Sequence, residues 1–198
     1  MITLNDLVEA VLDFIDCKTT VEELVKEVHS FDANSLDREL RSPLQREAED
    51  GNVELVKILI ANGAKINVYD DNNRNALHLA KDVYVMDALL EHATLDEINA
   101  LDDDWRTPLH YASTTGNMTM MRRLIEKGAD VNMLKEDGGR TALQEAAWEC
   151  RSDEVILLLQ SGASNKYRDN DGYLAWHYAR TRHRSEKYWE NEVMPQLV

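Results

Sequence analysis

The sequence predicts an all-α solenoid of stacked helix–turn–helix units joined by hairpin-like loops, and three observations carry that expectation. A short phrase recurs as Ser42-Pro43-Leu44-Gln45, Asn75-Ala76-Leu77-His78, Thr107-Pro108-Leu109-His110, Thr141-Ala142-Leu143-Gln144 and Leu174-Ala175-Trp176-His177. Its second position falls at 43, 76, 108, 142 and 175, in steps of 33, 32, 34 and 33 residues. The material between the phrases repeats as well: Leu55 to Asn67 is answered by Met121 to Asn132, and by Val155 to Leu159 followed by Gly162-Ala163-Ser164-Asn165. A fixed period near 33 marks a stacked array whose function resides in its surface.

Each element has a physical reason. Within residues 1–40, Thr3 with Asp6 resembles a capping box and precedes Leu4, Leu7, Val8, Val11, Leu12 and Ile15 on one helical face. Thr20 with Glu23, then Leu24, Val25, Val28 and Phe31, signals a second helix. This pair is expected to shield the apolar flank of the first repeat, with a separate docking element as the alternative. The array is expected over 41–184, in units at about 41–73, 74–105, 106–139, 140–172 and a partial 173–184. In the third unit Thr107 suits a helix N-cap and Pro108 the first helical position, where its missing N–H is no loss. Leu109 and Ala112 give that helix an apolar side, Gly116-Asn117 breaks it, and Met118, Met121, Leu124 and Ile125 carry a second helix that Gly128 stops. The second unit is irregular: Asp82-Val83-Tyr84-Val85 replaces the Gly-Asn turn and Ala93 to Ile98 holds about three extra residues, which predicts a short outer helix. The fourth and fifth connecting loops are one residue longer than the third. Residues 185–198 are expected to form a capping helix stopped by Pro195, with Tyr188 and Trp189 covering the last repeat.

The recurring phrases resemble ankyrin repeats, and Thr107 to Asn132 matches the family pattern nearly throughout. The resemblance implies a platform that binds other proteins, not an enzyme, with partners held by the projecting loop tips and the first helix of each pair.

Charge narrows the partner. Against 22 Lys and Arg stand 37 Asp and Glu, a net charge of −15, and the excess falls in residues 1–40 and 68–105. Repulsion from phosphate argues against nucleic acid and anionic membranes. Solubility is one account of the acidity, and faster encounter with a basic protein is the other. No apolar run approaches the ~20 residues of a membrane span. An acidic N-terminus and two isolated cysteines, Cys17 and Cys150, point to a reducing cytoplasmic setting.

The tips are 69–74, 101–106, 134–140 and 167–173. Candidate contacts there are Tyr69, Asp71, Asn72, Asp103, Asp104, Trp105 and Tyr173. Trp105 stands where Asn73 and Gly138 fall in other copies, a position suited to positive φ. Its turn must therefore be reshaped or strained, with the ring on a partner or folded onto the next hairpin. From the first helices, Tyr111, Trp148 and Tyr178 are expected to line one concave stripe, with Asp82, Thr115, Glu145 and Glu149 a turn further on or beside them. Trp176 takes the core leucine position.

Catalytic, cofactor and metal sites are not expected. His78, His110 and His177 recur in register, but neighbouring helices pack ~8–10 Å apart, too far to share an ion with ~2 Å bonds. They are expected to bridge the backbones of adjacent units. Asp169-Asn170-Asp171-Gly172 would put Tyr167 and Tyr178 at the first and twelfth positions of a calcium loop, and neither is a ligand. Two functions remain: capture of a basic protein, to recruit or block it, or an inhibitor that occupies a nucleic-acid-binding site by mimicking phosphate charge.

Overall fold

A computed structural model describes residues 33–134, 139–149, 151–182 and 193–197 of the 198. The proposed helices of residues 1–32 and 185–192, and both cysteines, lie outside the described residues. Paired helices follow one another along the chain: α1 (Pro43–Asp50) with α2 (Val53–Ala61), α3 (Ala76–Leu79) with α4 (Val83–Leu90) and the extra turn α5 (Leu95–Ile98), α6 (Pro108–Thr115) with α7 (Met118–Glu126), α8 (Ala142–Trp148) with α9 (Ser152–Gln160), and then α10 (Ala175–Arg182) and α11 (Met194–Leu197). An isolated bridge joins Leu134 to Thr141, and the described residues form no strand.

The recurring phrase starts each first helix by a reciprocal cap. Ser42, Asn75, Thr107 and Thr141 each accept the N–H three residues on, while the side chain of Gln45, His78, His110 or Gln144 reaches back to the cap N–H. This satisfies two backbone donors that a helix start otherwise leaves bare. The third residue of the phrase goes to the core: Leu44, Leu77, Leu109 and Leu143 are fully buried beside Leu59, Met86, Met121, Leu124 and Leu158 of the second helices.

Two hydrogen-bond ladders tie unit to unit. On the first-helix side, Gln45 Nε2 donates to Arg74 O at 2.7 Å, His78 Nε2 meets Arg106 O at 3.0 Å, and Gln144 Nε2 donates to Tyr173 O at 2.8 Å. On the other side an asparagine clamps the turn of the next unit. Asn34, Asn99 and Asn132 donate to the carbonyls of Gly63, Gly128 and Gly162 and accept from the N–H of Lys65, Asp130 and Ser164.

The second unit departs from the expectation. Its inner helix α3 is the short one, a single turn of 4 residues, whereas outer helix α4 keeps 8. Ala80 turns extended and Asp82 caps α4 through the N–H groups of Tyr84 and Val85. The extra residues make α5, closed by a Thr94–Glu97 capping box, and supply Asn99 for the ladder. The pattern also begins before residue 41. Asp37 N donates to Arg41 O, Leu40 has φ +57, and Asn34 clamps the first unit, so residues 33–41 form a repeat hairpin. At the other end Pro195 is the second residue of α11, inside a helix and not at the end of one.

Candidate partner-binding surface

Three of the four tips, 69–74, 101–106 and 167–173, are each built on one buried aspartate, while residues 135–138 of the other tip lie outside the described residues. Asp70 Oδ1 accepts from the N–H of Asn72 and Arg74, Asp102 Oδ1 from Asp104 and Arg106, and Asp169 Oδ1 from Asp171 and Tyr173. The second oxygen takes a cation or a phenol. Asp70 Oδ2 holds Arg74 at 2.7 Å, Asp102 Oδ2 holds Arg106 at 3.0 Å and the Tyr111 hydroxyl at 2.8 Å, and Asp169 Oδ2 takes the Tyr178 hydroxyl. Burial opposes the charge on Asp102, but the Arg106 N–H, the Tyr111 hydroxyl and the Arg106 guanidinium together hold its pKa below the usual 3.8. Conversely, burial first and the Asp102 carboxylate second push Tyr111 up to about 12. Three of the acids that make the tips acidic in sequence are thus spent inside the hairpins.

The remaining tip residues project. Tyr69, Asp71, Asn72, Asp103, Asp104, Trp105 and Tyr173 are exposed, though Asp104 also pairs with Arg106 at 2.6 Å. Adjacent tips touch: Asp103 N donates to Asn72 O at 3.1 Å, and Asn73 Nδ2 to Leu101 O at 2.9 Å. Trp105 has φ +58 and is 50% exposed, so the turn keeps its ordinary shape and the tryptophan adopts the left-handed backbone. Asn73, also at φ +58, and Gly139 at φ +63 hold the same place, two residues before the helix cap. The equivalent of Trp105 is therefore Gly139, not Gly138, which lies outside the described residues.

The first-helix candidates fare differently. Tyr111, Trp148 and Tyr178 do not point freely outward. Both tyrosine hydroxyls bind tip aspartates, the Tyr111 ring packs edge-on to His78 at 5.6 Å, and Trp148 packs edge-on to Tyr178 at 5.5 Å. The two tyrosines brace the hairpins, because a ring one residue past the phrase lies directly beneath its own tip, and Trp148, a turn further along α8, packs on Tyr178. Asp82 is consumed as the α4 cap, and Glu145 pairs with Arg140 at 3.6 Å. Glu149 and Thr115 are exposed, the Thr115 hydroxyl bonding back to its own helix. Trp176 is only half-buried: it packs against the core, stacks on His177 at 3.7 Å and lines an open pocket with Trp148, Tyr173 and Tyr178. His78 bridges units as expected; burial above all lowers its pKa to about 4 and keeps the ring neutral.

Among the described residues no group of His, Cys, Asp and Glu could hold a metal ion, and no helix is long and apolar enough to cross a membrane. A family profile described as ankyrin repeats (three copies) matches residues 7–97 and 80–169. The chain belongs to the ankyrin-repeat family. Human transient receptor potential cation channel subfamily A member 1 is 25% identical over 189 residues, covering 75% of this chain and 17% of the channel. Rat ankyrin repeat and SAM domain-containing protein 6 is 35% identical over 81 residues, covering 41% of this chain and 9% of that protein. The chain thus spans under a fifth of either relative. Ankyrin repeats are protein-interaction modules, and the exposed aromatic side chains here are Tyr69, Trp105, Tyr167 and Tyr173 on the tips and Tyr84 on α4.

One surface residue escapes the sequence reading. Leu40 is 51% exposed at φ +57, in the same hairpin position as Trp105. Its signal is the spacing, since Leu40, Asn73, Trp105, Gly139 and Gly172 each stand two residues before a helix cap.

Proposed function

We propose that the ankyrin array captures a protein with a basic surface, using the tips at 69–74 and 101–106 and the adjoining concave face. The observation that carries this is Trp105. A bulky residue in the left-handed region costs roughly 1–2 kcal/mol, and half of its ring still faces water. Neither feature serves the fold, whereas a rigid exposed tryptophan on a hairpin suits an interface anchor. The carboxylates of Asp71 and Asp103 beside it, within a chain of net charge −15, would steer a cationic surface toward it.

Capture is a better fit than phosphate mimicry. A mimic needs a run of exposed carboxylates, and Asp70, Asp102 and Asp169 are buried. The test is affinity capture from a native lysate on the intact chain and on a Trp105→Ala, Asp103→Asn variant, washed at rising salt. A partner retained by the parent, lost by the variant and weakened by salt supports the reading. Equal retention by both proteins sinks it, and release of the partner by added DNA or RNA would establish the mimic instead.

A further inference from the structure

The shortened inner helix leaves a notch. First helices α1 and α6 each run 8 residues, and first helix α3 between them stops after 4. The absent turn is about 6 Å of helix at ~1.5 Å per residue. A cavity of about 240 Å³ opens at that place, bounded by the ends of α1 and α6 and by the chain leaving α3. At ~30 Å³ per water it has room for about eight waters, enough for one large side chain and too little for a helix.

The chemistry of the walls selects the occupant. Leu77, Leu79, Ala80 and Met120 make the floor, all buried and all apolar. The charges at the mouth are matched within the chain: Glu49 with Lys81 at 3.0 Å, and Arg74 with Asp70 at 2.7 Å. His78, which also lines the notch, stays neutral. No unmatched charge calls an ionic head group inside, and water over an apolar floor, short of hydrogen-bond partners, is displaced favourably by an apolar group. The tips carrying Asp71 and Asp103 flank the other end of α3, one helical turn away, and both carboxylates are exposed.

We propose that this notch seats a single large apolar side chain, of the size of leucine, methionine or phenylalanine, from a partner segment whose flanking residues are basic and reach Asp71 and Asp103. The inference rests on the reading of the tips as the partner surface and adds to it a pocket that sets specificity. It also accounts for the departure of the second unit, because a full-length α3 would fill the space.

The test pans a displayed library of random peptides on the intact chain and measures the enriched peptides against variants. Thr115→Trp places a ring over the notch from an exposed position on α6, and Ala80→Met fills it from the wall; thermal melts establish that each variant folds. Asp71→Asn with Asp103→Asn removes the flanking charge. The expected result is enrichment of a large apolar residue between lysines or arginines, with affinity falling at least tenfold on either filled notch and also on the charge variant. Enrichment without that pattern, no enrichment, or full affinity for both filled variants overturns the notch. Loss on the charge variant alone leaves the tip reading standing without the notch, and no loss on any variant removes both.

Discussion

Trp105 offers two substitutions that separate strain from contact. Its ring presents roughly 200 Å² in total, of which half, about 100 Å², is exposed. At ~25 cal/mol per Å², covering that half gives a partner up to about 2.5 kcal/mol, so loss of the ring weakens capture by up to roughly 60-fold. Within the fold two effects oppose one another. Trp105→Asn relieves about 1 kcal/mol of backbone strain, since asparagine visits the left-handed region readily and Asn73 already does so here. It also forfeits packing of the covered half of the ring. By the same area measure the covered half is worth up to about 2.5 kcal/mol, so the net loss of stability is at most about 1.5 kcal/mol, or ~3–6 °C in melting temperature for a chain of this size. Trp105→Ala loses the same ring and keeps the strain, so it melts below Trp105→Asn by the margin of that strain. The assays are paired thermal melts and partner titration by calorimetry. If both variants lose 3 kcal/mol or more of stability and bind as the parent does, the ring is a packing residue and the anchor argument is wrong.

Four further outcomes follow from the same geometry. His78 is buried neutral with its pKa lowered to about 4 from an ordinary 6.5. The unfolded chain takes up the proton first, so stability is fully present above pH ~6.5 and falls by roughly 3 kcal/mol toward pH ~4. His78→Gln, which installs the residue used at Gln45 and Gln144, should keep the fold and flatten a denaturant-midpoint profile over that window. Tyr111→Phe leaves Asp102 Oδ2 one hydrogen bond short and should cost about 1–2 kcal/mol in urea unfolding. Leu109→Ala truncates a fully buried side chain and should cost ~2–5 kcal/mol, while an unchanged melt would contradict the repeat register. Asn99→Ala removes both arms of one inter-unit clamp and should raise hydrogen exchange at Gly128 to Asp130 ahead of the remainder of α7.

The period, the caps and the core leucines were legible because each follows from local chemistry: a hydroxyl or amide before a turn of helix, an acceptor three residues on, and an apolar side chain aimed at the stack. The role of the tip acids was not read, although its signal is present. Asp37 and Arg41, Asp70 and Arg74, and Asp102 and Arg106 recur four residues apart at the repeat period, and that pairing marks a closed hairpin, not a free charge. Counting formal charge cannot distinguish Asp102, buried, from Asp103, exposed. The tyrosines are hidden from the sequence for a related reason. Helical register places Tyr111 away from the core, but its hydroxyl lies within reach of the carboxylate under its own tip, and that contact is made across the hairpin. Residues 82–85 mark where the second unit departs from the period, but Asp82 could equally end α3 or begin α4; it caps α4, so the inner helix and not the outer one is short.

The most direct test of the tip surface is site-specific photocrosslinking in cells, with a photoreactive amino acid placed either at Trp105 or at Arg122, an exposed position on outer helix α7. The account predicts a discrete protein adduct from position 105, reduced when Asp71 and Asp103 are changed to asparagine, and none from position 122. Adducts from 122 alone, or the same adducts from both positions, would contradict it.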